Sequence, residues 1–376
     1  MTGSDGRRRL AALVAALAVV ALGAGAAGCG QKDEGSSGGG SSGSSAKKGD
    51  YTIALSNSFL GNTWRQTMVK IFTATAKDAR SQGLIKSYKV QNTGQNTATE
   101  QVAQLKSLIL QNVDAILINA AAPDALNPTI QQACAKGIKV VVFDSLASAP
   151  CAYKVQDSIA DYGFQEGDFV AKTMGGKGNV LMVRGVVGSE PEKVIYENQL
   201  KALKKYPGIK IVRTLVGQAS NSVTQQVVSN ALPSLPKIDG VITGGSSLGA
   251  VQAFQSARKP IPVVAFDNSG EALRFWQPKA KKGYKAVSVR TEPGQAAAAF
   301  WLAMDLLEGK KPKNIKYTFP NIVITEKDLP KWLDATPTGN VAAWLWTREQ
   351  TQKVLDLNQQ GSASDLPTPP PPTRAP

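Results

Sequence analysis

"YTIALSNSFLGNTWRQTMVKIFTATAKDARSQG", Tyr51 to Gly83, reads as a strand that runs straight into a helix. Its first residues are apolar without alternation. The period then changes: Trp64, Met68, Ile71, Phe72, Ala76 and Ala79 recur at three- and four-residue steps, which marks one helix face, and Gly83 closes it. A strand apolar along its whole length is covered on both faces, and a strand followed at once by an amphipathic helix is the building unit of a parallel sheet.

The unit repeats along the sequence. "IKSYKV" (85–90) is a second strand, and Thr97 with Glu100 forms a capping box for a helix with Val102, Leu105, Leu108 and Ile109 on one face. "AILI" (115–118) is a third strand, Pro123-Asp124 opens a helix ending at Gly137, and "IKVVVF" (138–143) is a fourth strand. In the second half, "NVLMV" (179–183) precedes a helix around Glu192 to Lys205, and "IKIVRTLV" (209–216) precedes one around Ser222 to Leu232. "GVITG" (240–244) precedes a helix from Leu248 to Ala257, and "PVVAFD" (262–267) one from Gly270 to Lys281. "AVSVR" (286–290) and a long helix from Gly294 to Leu307 follow; "IVIT" (322–325) and a Trp-bearing segment close the sequence. The economical reading is α/β, with two doubly wound parallel-sheet units in tandem.

The 376 residues, 42% of them hydrophobic, suffice for two cores. Residues 1–28 stand apart as an export signal: Arg7, Arg8 and Arg9 are basic, Leu10 to Leu22 is apolar, and Ala26, Ala27 and Gly28 are small. The run is too short and too rich in alanine to be a good membrane span. Arg8-Arg9 hints at twin-arginine export, but the surrounding pattern is incomplete and the general pathway is favoured. Cys29 after small residues resembles a bacterial lipobox. That resemblance implies a diacylated N-terminus anchored to the outer face of the cytoplasmic membrane; the alternative is an ordinary cleavage site with an incidental cysteine. Residues 29–50, mostly glycine and serine with a few charges, are a flexible tether with a span on the order of 25 Å. The Pro-rich segment 361–376 reads as an extended or disordered tail.

Net charge is +15 with no histidine. The lysines are scattered along the sequence and no basic run interleaves with aromatics, so nucleic acid is not expected as a partner. Without histidine there is no His-based triad and no His metal site, and no metal or cofactor is expected. Cys134 and Cys151 are a pair in an exported protein, and a disulfide is expected between them. Cys134 ends a helix, "IKVVVF" then crosses the sheet, and "SLASAP" is long enough to run back and bring Cys151 alongside. Two independent buried thiols are the alternative.

In an open parallel sheet, ligands bind beyond the carboxyl ends of the strands. The residues there are Ser58, Asn62 and Trp64 after the first strand, Asn119 after the third, and Asp144 and Ser145 after the fourth. Asp267 and Asn268 follow "PVVAF", and Arg290 follows "AVSV". Carboxylates and arginine can engage vicinal hydroxyls through paired hydrogen bonds, and an indole stacks on the C–H face of a sugar ring. The set suits a neutral, polyhydroxylated ligand. Each residue has another reading: Asp144 and Asp267 as helix N-caps, Trp64 as core, Arg290 as a surface partner of Glu292. "TGGSSLG" lacks the lysine of a phosphate loop and reads as a strand-to-helix turn.

The runs "IALSNSFLGNTWR" (53–65), "ILINAAAPDAL" (116–126), "GIKVVVFDS" (137–145), "VVAFDNSG" (263–270) and "VRTEPGQAAA" (289–298) resemble the ribose-type periplasmic binding proteins of ABC sugar importers. The likeness covers nearly all of Tyr51 to about Asp334. It implies a type I binding-protein fold whose lobes are joined by a three-crossing hinge, with crossings near Asp161, Arg290 and Pro320. The lobes are then 51–160 with 291–319, and 161–290 with 320–360. It implies cleft roles for Ser58, Asn62, Trp64, Asn119, Asp144 and Asp267. The sequence departs from the ribose pattern at Arg65, Ser145 and Arg290, and near Tyr196 or Glu190, so the resemblance implies a different sugar or a sugar alcohol. By that resemblance the protein is a monomeric, non-enzymatic binding component that captures a monosaccharide or polyol and delivers it to the permease. A sensory subunit for a sugar or furanosyl signal is a second reading, and a glycosidase-like use of Asp144 and Asp267 a remote third.

Overall fold

The computed structural model describes residues 49–361. The signal segment, Cys29, nearly all of the tether and the Pro-rich tail lie outside the described residues. Among the described residues no helix is long and apolar enough to cross a membrane.

The strand-helix rhythm is present throughout. β1 (Thr52–Asn57), α1 (Thr63–Ser81), β2 (Ser87–Asn92), α2 (Ala98–Leu110), β3 (Ala115–Asn119), α3 (Asn127–Ala135), β4 (Lys139–Phe143) and β5 (Tyr153–Asp157) build a first lobe. α4 (Ile159–Thr173), β6 (Lys177–Arg184), α5 (Glu190–Leu203), β7 (Gly208–Val216), α6 (Asn221–Ala231), β8 (Gly240–Thr243), α7 (Ser247–Ser256), β9 (Val263–Val264), α8 (Gly270–Ala280) and β10 (Ser288–Arg290) build a second. α9 (Gln295–Leu307), β11 (Lys316–Phe319), β12 (Ile322–Ile324), α10 (Leu329–Ala335) and α11 (Arg348–Gln359) complete the fold.

The first sheet is wholly parallel, in the order β11-β5-β4-β3-β1-β2, and the second is parallel in the order β7-β6-β8-β9. α9 is buried on nearly every side because its sequence, "QAAAAFWLAMDLL", is apolar all round; it packs on α1, β3, β4 and β5. Cys134 and Cys151 are joined in a disulfide with Cα atoms 6.4 Å apart. The bond lies at the amino ends of the strands, since Cys151 precedes β5 and Cys134 sits in the last turn of α3.

The chain passes between the lobes at more than one place. β5 passes into α4 at Ser158, whose N–H donates to the Phe319 carbonyl at 3.2 Å. β10 leads into α9 through Thr291–Pro293, and β11 leads into β12 through Pro320 and Asn321. β12 pairs antiparallel with β10 and joins neither parallel sheet.

The assignment of 320–360 as a whole to the second lobe is corrected. α10 packs on α8, but α11 packs on α9 and β11 of the first lobe, so the polypeptide returns through residues 336–347. Two interactions explain the return. Val354 and Leu355 are fully buried against the first lobe, and Asn358 pairs with both backbone groups of Thr318 at 2.9 and 3.0 Å, covering an edge strand that would otherwise be open.

Candidate functional site

A cavity of about 350 Å³ lies at the carboxyl ends of both sheets. Of the residues expected at a ligand site, Asn62, Trp64, Arg65, Asp144, Tyr196, Asp267, Asn268 and Arg290 line it. Ser58, Asn119 and Ser145 do not; all three are buried behind the wall.

On the first-lobe side, Asn62 caps α1 by accepting the Arg65 N–H at 2.8 Å. This sets Trp64 and Arg65 in the first turn, facing the cavity. The Trp64 indole N–H reaches the Thr291 carbonyl at 3.3 Å, so this half-buried ring is both cavity wall and hinge contact. Arg65 Nη1 donates to Asn57 Oδ1 at 2.8 Å, and Nη2 stands 3.9 Å from Asp144 Oδ2, an ion pair too long for a hydrogen bond.

Asp144 follows β4 in a left-handed conformation, φ +55°. Non-glycine residues seldom adopt it, and here it turns the carboxylate into the cavity while Ser145 turns away. Asn119 lies beneath, donating to Asp144 Oδ2 at 3.1 Å, and acts as a support for the carboxylate. Ser58 likewise supports: its hydroxyl donates to Asn96 Oδ1 at 2.7 Å and lies 3.4 Å from Arg65 Nη1. Burial raises the Asp144 pKa, opposed by Arg65 and Asn119, and burial lowers that of Arg65. Both charges are under-solvated, and added hydrogen bonds from a ligand would relieve them.

On the second-lobe side, Arg290 is buried rather than at the surface, and its partner is Glu166 of α4, Nη1 to Oε1 2.7 Å, not Glu292. The Tyr162 ring lies under the guanidinium at 4.9 Å. Burial alone would lower the Arg290 pKa, but Glu166, with Tyr162 and Asp267, leaves it raised. Nε and Nη2 of Arg290 are buried without a protein partner, donors left over at the cavity wall. Asp267 is held by the Ser247 hydroxyl at 2.7 Å and by the Ser269 hydroxyl and N–H. Asn268 donates to the Ala342 carbonyl at 3.2 Å and accepts the Ala342 N–H at 2.8 Å, so the returning segment braces it.

Sequence reasoning missed Arg184, Glu192, Tyr162 and Gln199, which also line the cavity. Arg184 ends β6, the same position that carries candidate residues at several other strands. It forms a two-point ion pair with Glu192 at 2.7 and 2.8 Å and lies 4.4 Å over the Tyr196 ring. Tyr162 and Glu166 share a face of α4 at i and i+4, a pattern that also fits an ordinary buried stripe.

Behind the cavity two buried carboxyls meet in the hinge. Asp157 Oδ2 accepts the Glu292 N–H at 2.7 Å, and Glu292 Oε1 accepts the Trp346 indole N–H at 2.6 Å. Burial raises both pKa values, and for Asp157 the neighbouring Glu292 adds to the shift; Glu292 is pushed up to about 7. Among the described residues no group of three or more metal-ligating side chains gathers.

The sequence profile of the periplasmic binding protein domain matches residues 53–311. The chain belongs to that family. Its two lobes of parallel α/β sheet have the type I periplasmic binding protein fold. A solved ABC transporter solute binding protein from Thermobispora bispora is 47% identical, with a TM-score of 0.81, covering 86% of this chain and 99% of that one. The xylitol-binding protein of Mycolicibacterium smegmatis is 29% identical over 64% of this chain and 70% of its own length. The ribose import binding protein of Bacillus subtilis is 28% identical over 71% and 85%. All three are named as solute- or sugar-binding proteins.

Proposed function

We propose that this protein captures a neutral monosaccharide or sugar alcohol between its lobes and passes it to an ABC permease, without making or breaking a bond. The observation that carries the reading is the charge pairing of the cavity. Each of its three arginines, Arg65, Arg184 and Arg290, already faces a carboxylate: Asp144, Glu192 and Glu166. What remains are directional donors and acceptors with no spare positive charge, which favours hydroxyls over a carboxylate or phosphate on the ligand. Xylitol and ribose binding by relatives agrees with that class. Trp64 offers a flat apolar face for the C–H groups of a sugar ring or an open polyol.

Closure around the ligand would bring the two walls together and present the closed form to the permease. In this reading the protein is exported, with Cys29 as the lipid anchor and the Gly-rich tether behind it, and works as a monomer. A thermal-shift screen over pentoses, hexoses, polyols and sugar acids tests the reading, since a ligand that binds only the folded state raises its melting temperature. Stabilisation by a neutral sugar or polyol is expected. A response confined to sugar acids would defeat it.

A further inference from the structure

The lysines are scattered along the sequence, but the second lobe gathers many of them at one end. In a parallel sheet every helix ends, and every strand begins, at the pole opposite the ligand cavity. α5 ends with Lys201, Lys204 and Lys205, α7 is followed by Arg258 and Lys259, and α8 ends with Lys279, Lys281 and Lys282. Lys177 begins β6, Lys210 lies in the first residues of β7, and Lys237 and Lys285 shortly precede β8 and β10, at the same pole. Nearly all are exposed.

Acidic residues are sparse there. Asp239 pairs with Lys237 at 2.6 Å, and Asp168 with Lys172 of α4 at 2.7 Å; the other lysines of the pole have no ion pair among the described residues. Several of the lobe's other acids lie at the opposite end: Asp161, Glu190 and Glu271 in first helical turns, Glu192 and Asp267 at the cavity; Glu166 is buried against Arg290, and Glu197 lies mid-way along α5. Helix dipoles account for cations at helix ends. They do not account for the lysines at the strand starts.

We propose that this pole is a docking surface for an anionic lipid bilayer. The surface is built from lysines on flexible stems, with Arg258 the exception, so it offers spread point charges and no rigid fork for a single phosphate. Charges within a Debye length of one another repel, and a surface of dense negative charge relieves that repulsion for all of them at once. The site lies at the other end of the lobe from the cavity, so it acts independently of the ligand.

The test uses the full-length protein with Cys29→Ser, which removes acylation, and vesicles of phosphatidylcholine alone or of phosphatidylcholine with phosphatidylglycerol. Binding through the leading segment with Arg7, Arg8 and Arg9 is common to the parent and the variants and cancels when they are compared on the same vesicles. At low salt the protein should sediment with the anionic vesicles in excess over the neutral ones, and high salt should remove the excess. Each lysine at such a surface is worth roughly five-fold in affinity, so Lys281→Glu/Lys282→Glu/Lys285→Glu should weaken it by about a hundred-fold or more. Lys177→Glu/Lys201→Glu/Lys204→Glu, on other elements of the same pole, should act likewise; a thermal melt confirms that each variant is folded. Unchanged vesicle binding in either folded variant would overturn the proposal. So would tighter binding to a soluble teichoic acid than to the vesicles, which would assign the pole to a wall polymer.

Discussion

Replacing Arg290 by methionine should cost the fold about 3–5 kcal/mol at neutral pH, because it strands a buried charge. Glu166 is fully buried; Arg290 Nη1 meets its Oε1 at 2.7 Å and Gln199 Nε2 meets its Oε2 at 2.8 Å. Without the guanidinium, one neutral amide is left to hold a carboxylate in a place where burial already raises its pKa. The group escapes by taking a proton. Its folded pKa then stands further above the unfolded value of about 4.3, so the stability tied to it is present below that value and lost as pH rises towards the folded pKa. Each pH unit in that window costs about 1.4 kcal/mol. Urea unfolding followed by tryptophan fluorescence should therefore show a deficit in Arg290→Met that grows as pH rises above the unfolded value. Glu166→Gln/Arg290→Met removes the stranded charge and should recover most of the loss. A deficit below about 1 kcal/mol, or one equally deep in the double variant, would refute the reasoning.

Asp144→Ala and Asp267→Ala should each weaken capture of the screened ligand by about 2–4 kcal/mol, read by calorimetric titration; near-parental affinity in both would remove these carboxylates from the site. Asp157 and Glu292 both have raised pKa values, so the hinge should lose stability as pH rises through about 7, the Glu292 value. Asp157→Asn should flatten that decline in denaturation curves, and an unaltered pH profile would count against the pair. Reducing the Cys134–Cys151 bond, which spans a sequence separation of 17, should cost roughly 3 kcal/mol and lower the melting temperature while ligand affinity stays the same. Loss of affinity on reduction would contradict its placement away from the cavity.

The fold was legible where one element carries its own signal. Continuous apolar runs such as Val140 to Phe143 gave the covered strands, and the Met68–Phe72–Ala79 stripe gave α1. Asn62 was read as a cleft residue, and the local cap it also makes fixes where Trp64 and Arg65 point. Features that depend on tertiary company were not legible. Nothing local in Val354, Leu355 and Asn358 says which lobe α11 will cover, because the signal is the open edge of β11. Ser145 and Asp144 are neighbours in sequence, and only the left-handed turn at Asp144 decides which one faces the cavity. The basic pole was invisible as well: lysines far apart in sequence meet only because each helix returns to the same end of the sheet.

The central claim is that charge pairing inside the cavity selects a neutral polyhydroxylated ligand. It is tested most directly by calorimetric titration with matched pairs that differ at one carbon, such as xylitol with xylonate and glucitol with gluconate. In every pair that binds, the account predicts that the neutral member binds at least about tenfold more tightly, because the acid brings a charge with no free cation to meet it. Tighter binding of the acid member would show that Arg65, Arg184 or Arg290 is free to receive an anion, and would contradict the account.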